Sequence, residues 1–172
     1  MSRARKHKPE IKARTTMYKG RRMRSRLEAD FAAFLDRNTP DWDYEPICFA
    51  GPDGQWLPDF KVTHNEQNIY FEIKPRSLLE DEDVDIDALL ERMAVTWLTE
   101  PDAILQLTFW TYGKPRDSYT WFGIPTDDEN DMTWWCGDGL TPDSVTPWVG
   151  MGQLLRMVEV YKREQEAAGS VS

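Results

Sequence analysis

From Leu57 to Lys74 the chain reads LPDFKVTHNEQNIYFEIK, with Asp59 directly after a proline and Glu72-Ile73-Lys74 following after twelve intervening residues. Two carboxylates and a lysine are the parts of a simple metal site, provided the chain brings them together. Alternation supplies the means. Trp56, Pro58, Phe60 and Val62 fall on one face of an extended segment, and Leu57, Asp59 and Lys61 fall on the other. Ile69, Phe71 and Ile73 alternate in the same way with Tyr70, Glu72 and Lys74. Each strand is therefore expected to have one apolar face and one chemical face.

The intervening Thr63 to Asn68 is polar and turn-prone, which predicts an antiparallel hairpin with its tip near Asn65 and Glu66. A hairpin symmetric about that tip sets Asp59 opposite Glu72. Cross-strand partners have Cβ atoms only about 4.5–5.5 Å apart, and like charges there destabilise a sheet. A divalent cation between the carboxylates would offset the repulsion, with Lys74 beside it on the same face.

The rest of the chain must hold that hairpin. At 172 residues, with 40% hydrophobic residues and eight tryptophans, it is expected to form one domain with its own core. No apolar run approaches the roughly 20 residues of a membrane span, and the opening MSRARKHKPEIK lacks a signal peptide's apolar centre. A soluble, cytoplasmic protein without a membrane partner is expected. Cys48 and Cys136 have no CxxC or histidine-rich context, so both are read as reduced thiols.

The net charge of −9 conceals an asymmetry: residues 1–26 hold 11 of the 21 Lys and Arg and one acid, Glu10. Residues 1–20 have little hydrophobic periodicity and are expected to be a basic flexible arm, with a single domain over 21–172. Such an arm is either a phosphate-binding element, whose affinity would depend on salt, or a solubilising tail.

After the arm, Leu27, Phe31, Phe34 and Leu35 predict a helix over 25–37. Residues 42–49 read as one aromatic strand ending at the turn Gly51-Pro52-Asp53-Gly54. Beyond the hairpin, the acidic Glu80 to Asp87 suits a helix N-terminus, and Ile86, Leu89, Leu90, Met93, Ala94 and Trp97 mark a second helix. Ala103 to Trp110 is nearly all apolar, as in a strand at a sheet centre. Tyr119–Ile124 and Met132–Cys136 predict a further strand pair, with an acidic loop between them, and Leu154, Met157, Val158 and Tyr161 a last helix over 151–166.

Helix, three antiparallel strands, helix, strand, with an acid on the second strand and E-x-K on the third, resembles the core of the PD-(D/E)XK nuclease superfamily. The likeness covers roughly residues 22–111, and the run RSRLEA, YEP, LPDF is similar to small phage-type members and, more loosely, to the endonuclease subunit of heteromeric transposons. It implies an α/β (α+β) restriction-endonuclease-like fold, order αβββαβ, in which a mixed central sheet is flanked by helices and followed by a C-terminal extension.

The resemblance also implies a metal-dependent DNA endonuclease, phage- or mobile-element-encoded and acting in a bacterial host. Asp59 and Glu72 would ligate Mg²⁺ or Mn²⁺ with the Ile73 carbonyl, and Lys74 would orient the attacking water and stabilise charge on the phosphate. Glu28 matches the first-helix acid that many members hold near the metal. It also completes a Ser25-x-x-Glu28 capping box, so both roles stand. Arg21, Arg22, Arg24 and Arg26 are the expected DNA phosphate contacts, with Arg76 a further one. Glu45 reads as a structural acid. Trp134 and Trp135 fit either base stacking or a core. A homodimer or a recombination or packaging partner is compatible with this class. The rival reading is a non-catalytic DNA-binding or assembly protein that keeps the fold, or an accessory endonuclease subunit of a transposase or recombinase complex.

Overall fold

A computed structural model describes residues 13–38, 41–52, 54–64, 66–114, 119–125 and 132–135, with Arg163 and Ala167. The expected helix over 151–166, the acidic loop at 127–131 and Cys136 lie outside them, apart from Arg163 within that helix span. The described chain runs β1 (Thr16–Tyr18), β2 (Arg21–Met23), α1 (Arg26–Asn38), β3 (Trp42–Tyr44), β4 (Phe49–Gly51), β5 (Gly54–Trp56), β6 (Phe60–His64) and β7 (Gln67–Pro75). A 3₁₀ turn (Arg76–Glu80), α2 (Ile86–Ala94), a second 3₁₀ turn (Val95–Leu98), β8 (Ile104–Trp110), β9 (Tyr119–Pro125) and β10 (Met132–Trp135) follow. It is a mixed α+β architecture.

Six strands form the main sheet in the order β10-β9-β8-β7-β6-β3. All neighbours are antiparallel except β7 and β8, which are parallel. Parallel neighbours need a long crossover, and here the connection carries α2. Every residue of β8 is buried, Gln106 and Thr108 included, as expected of a nearly all-apolar central strand covered on both faces.

α1 covers one face of the sheet. Its N-terminus is capped by Ser25, whose Oγ accepts the Glu28 N–H at 3.1 Å, and its apolar stripe lays Phe31 and Leu35 onto Phe60, Val62, Phe71 and Ile73. Phe31 is the centre of that layer, with rings of Phe34, Phe60, Phe71 and Trp110 at 4.9–5.7 Å. The opposite face carries Tyr70, Leu105, Leu107 and Phe109 against Leu90 and Met93 of α2, with Phe49 and Trp56 from the small β4–β5 hairpin. Asp85 caps α2 through the Ala88 N–H at 3.0 Å, as the acidic lead-in predicts.

Four expectations need correction. The segment read as one strand over 42–49 is broken: Glu45 takes φ 46°, its N–H turns onto the Asp59 carbonyl at 2.9 Å, and the chain leaves the main sheet to form β4 of a separate two-stranded sheet with β5. Trp56 does not share the face of Phe60, because β5 and β6 belong to different sheets and Trp56 packs on the α2 side. The second face of β7 is not purely chemical, since Tyr70 is 1% exposed in the core beneath α2.

The fourth concerns the arm. Its last residues form β1, paired with β2 through Met17↔Arg22, so an ordered hairpin takes up the end of the segment read as flexible. The Tyr18 hydroxyl donates to Asp36 on α1, Lys19 lies 2.9 Å from the same carboxylate, and Arg21 sits over the Trp42 ring at 5.7 Å. No helix among the described residues is long and apolar enough to cross a membrane.

Candidate functional site

β6 and β7 pair in the register Phe60↔Phe71, and Glu66 in the turn adopts φ 65°. Asp59, one residue before Phe60, therefore stands level with Glu72, one residue after Phe71. The Asp59 N–H donates to the Phe71 carbonyl at 2.8 Å and extends the ladder by one bond. The predicted alignment of the two acids is thus the observed one.

Both carboxylates are deeply buried, at 3% exposure for Asp59 and 5% for Glu72. Each is held by a partner on either side. Asp59 Oδ2 accepts the Ile73 main-chain N–H at 2.7 Å, while its Oδ1 takes the Arg24 guanidinium. Glu72 Oε2 accepts the Trp56 indole N–H at 2.7 Å, and its Oε1 lies 2.5 Å from Lys74 Nζ and 3.7 Å from Arg92 on α2. Burial pushes the Asp59 carboxyl well above the usual carboxylate range. Glu72 adds to that shift, while the Ile73 N–H pulls the other way.

Glu28 joins this cluster from α1. It is 7% exposed, and its Oε2 accepts the Tyr44 hydroxyl at 2.5 Å while Oε1 lies 4.0 Å from Arg24 Nε. Of the Ser25-x-x-Glu28 capping box only the serine half forms: Ser25 caps the Glu28 main chain, while the Glu28 carboxylate goes to Tyr44 and toward Arg24 on the side of the hairpin acids. Burial, and then the bond to Glu28, push the Tyr44 hydroxyl up to about 12. That hydroxyl also accepts the Arg24 main-chain N–H at 3.0 Å, which ties the entry of α1 to β3.

Arg24 departs most from expectation. Read as a phosphate contact, it reaches instead into the carboxylates, with Nη2 on Asp59 and Nε 2.6 Å from Glu45. Burial pulls its guanidinium toward losing its charge, but Tyr44 and the carboxylates of Asp59, Glu28 and Glu45 outweigh that and raise its pKa. Arg21, Arg22, Arg26 and Arg76 are exposed, with Arg26 stacked on Tyr112 at 4.3 Å. The side chains of Trp134 and Trp135 lie outside the described residues.

Three partners were not apparent from local pattern. Trp56 falls on an apolar strand face, Tyr44 in an aromatic strand, and Arg92 carries no local signal. Only the tertiary fold turns them toward Glu72 and Glu28. The signal available for Tyr44 is its place beside Glu45-Pro46, where the strand stops.

Among the described residues no three His, Cys, Asp or Glu side chains converge as a ready metal cage. The donor set at Asp59 and Glu72 is two buried carboxylates level across the hairpin. That fits a small hard cation, which keeps much of its own water and needs only one or two protein carboxylates. No family model matches the chain, and neither a curated protein nor a solved structure matches it.

Proposed function

We propose that the protein is a metal-dependent DNA endonuclease with a restriction-endonuclease-like core, hydrolysing phosphodiester bonds with Mg²⁺ or Mn²⁺. One observation carries the reading. Asp59 and Glu72, both less than a tenth exposed, lie level across a hairpin with Lys74 2.5 Å from Glu72. Two buried acids in that position cost folding free energy through desolvation and mutual repulsion, so a role beyond packing accounts for them better than stability does. The order of α1, antiparallel β3, β6 and β7, then α2 and a β8 parallel to β7 supports the same superfamily.

Asp59 and Glu72, with the Ile73 carbonyl, would hold the cation, which when bound would supply an acidified water and offset charge on the phosphate. Lys74 positions that water and stabilises the developing negative charge as a fixed ammonium. Glu28, hydrogen-bonded to Tyr44, contributes negative charge from the opposite wall. Exposed Arg21, Arg22, Arg26 and Arg76 would take phosphates along the duplex. A phage or mobile-element origin and action in a bacterial host go with this reading.

Arg24 favours a second reading. Its bonds to Asp59 and Glu45 already neutralise much of the cluster, as they would in a non-catalytic DNA-binding or assembly protein on this fold. An accessory endonuclease subunit of a transposase or recombinase complex would cut only with its partner. Incubating the purified protein with linear, supercoiled, single-stranded and branched DNA, with Mg²⁺, Mn²⁺ or chelator, separates these. Cutting that needs the metal supports the endonuclease, and no cutting of any substrate overturns it in favour of the second reading.

A further inference from the structure

The entry of α1 puts a cation where the proposed metal would arrive. Asp59 has one oxygen committed to the Ile73 N–H at 2.7 Å, and its other oxygen is the one Arg24 covers. The same guanidinium is 2.6 Å from Glu45 and 4.0 Å from Glu28 through Nε, so one side chain balances three acids. It is not itself entombed: the Arg24 side chain is 55% exposed and reaches the cluster from the solvent side. Its neighbours in sequence, Arg21, Arg22 and Arg26, are exposed.

We propose that Arg24 is a displaceable counter-ion that couples substrate binding to metal loading. The inference rests on the endonuclease reading and adds a regulatory step to it. Without DNA, a cation approaching Asp59 meets a guanidinium only a few ångströms away, and like charges at such range in a half-buried site repel strongly. A DNA phosphate offers Arg24 an alternative partner that a planar guanidinium fork binds well. Moving onto the phosphate frees Asp59 Oδ1 and leaves Asp59, Glu28 and Glu45 short of one positive charge. The site then attracts a divalent ion. By reciprocity the metal must tighten DNA binding by the same factor.

The test is Mn²⁺ binding, read from the electron paramagnetic resonance signal of free Mn²⁺, with and without a short phosphorothioate duplex and corrected for Mn²⁺ held by the duplex alone. Wild-type protein is expected to bind Mn²⁺ about tenfold more tightly with the duplex, within the ~5–150-fold common for coupled sites. Arg24→Gln is expected to bind it tightly without DNA and to gain little from the duplex. Equal Mn²⁺ affinity in wild type and Arg24→Gln, or no effect of the duplex on wild type, overturns the proposal. The wild-type comparison stands alone if Arg24→Gln does not fold. Asp59→Asn separates the two levels. If it leaves Mn²⁺ binding unchanged, the metal-site reading itself falls. If it abolishes binding while Arg24→Gln changes nothing, only the coupling falls.

Discussion

The Trp56 indole N–H donates to Glu72 Oε2 at 2.7 Å in a buried contact, joining the β4–β5 hairpin to the strand that carries Lys74. A buried carboxylate oxygen without its donor costs more than the bond itself contributes. Trp56→Phe is therefore expected to destabilise the fold by about 1–3 kcal/mol, the range for leaving a buried acceptor unsatisfied. A double-mutant cycle with Glu72→Leu, which removes the acceptor, followed by urea unfolding, is expected to return a coupling of about 1 kcal/mol or more. Additive effects would mean that the bond contributes nothing.

Phe31 is the packing centre between α1 and the sheet, at 1% exposure with four aromatic neighbours. Phe31→Ala should cost about 3–5 kcal/mol, the range for removing a buried phenyl ring. The urea midpoint should fall with the slope unchanged. A cost below about 1 kcal/mol would show that α1 does not pack as described.

The β1–β2 hairpin is fastened to α1 through Asp36, whose carboxyl is held down to about 2 by hydrogen bonds from Lys19, Tyr18 and Trp42. Its folded pKa lies below the unfolded value of about 4, so the stabilisation is complete above pH 4 and lost as pH falls toward 2. Asp36→Asn should be less stable than wild type by about 1 kcal/mol at neutral pH, a figure reduced for screening near the surface. The difference should shrink as pH falls from about 4 to about 2. A difference that stays constant across that window would contradict the assignment.

Deleting residues 1–12 removes five of the Lys and Arg while leaving β1 intact. DNA affinity is expected to fall and its dependence on log salt to flatten, by close to one unit for each lost phosphate contact. The melting temperature should not change. Deletion through Tyr18 should lower it, because that cut also removes the contact to Asp36. Unchanged affinity after the shorter deletion would make the segment a solubilising tail.

The hairpin from Asp59 to Lys74 was legible because alternation and a polar turn together fix a register, and register alone sets Asp59 level with Glu72. The α1 stripe and the nearly all-apolar β8 were equally clear, each being a signal sustained over seven or more residues. What escaped were short or tertiary features. β1 and β2 are three residues each, TMY and RRM, too short for any periodicity to read. Alternation marks two faces of β7 but cannot say that α2 covers the one carrying Tyr70. Arg24 reads as one of four arginines in a basic run. Its inward turn depends on Tyr44, Glu45 and Asp59, up to 35 residues away.

The central claim is that Asp59, Glu72 and Lys74 act together on a phosphodiester. The most direct measurement is the initial rate of metal-dependent cleavage of the best DNA substrate by wild type, Asp59→Asn and Lys74→Ala, each checked for folding by circular dichroism. Both substitutions are expected to reduce the rate at least about a hundredfold, the scale for loss of one group acting in the transition state. Folded variants that cleave at the wild-type rate would contradict the account.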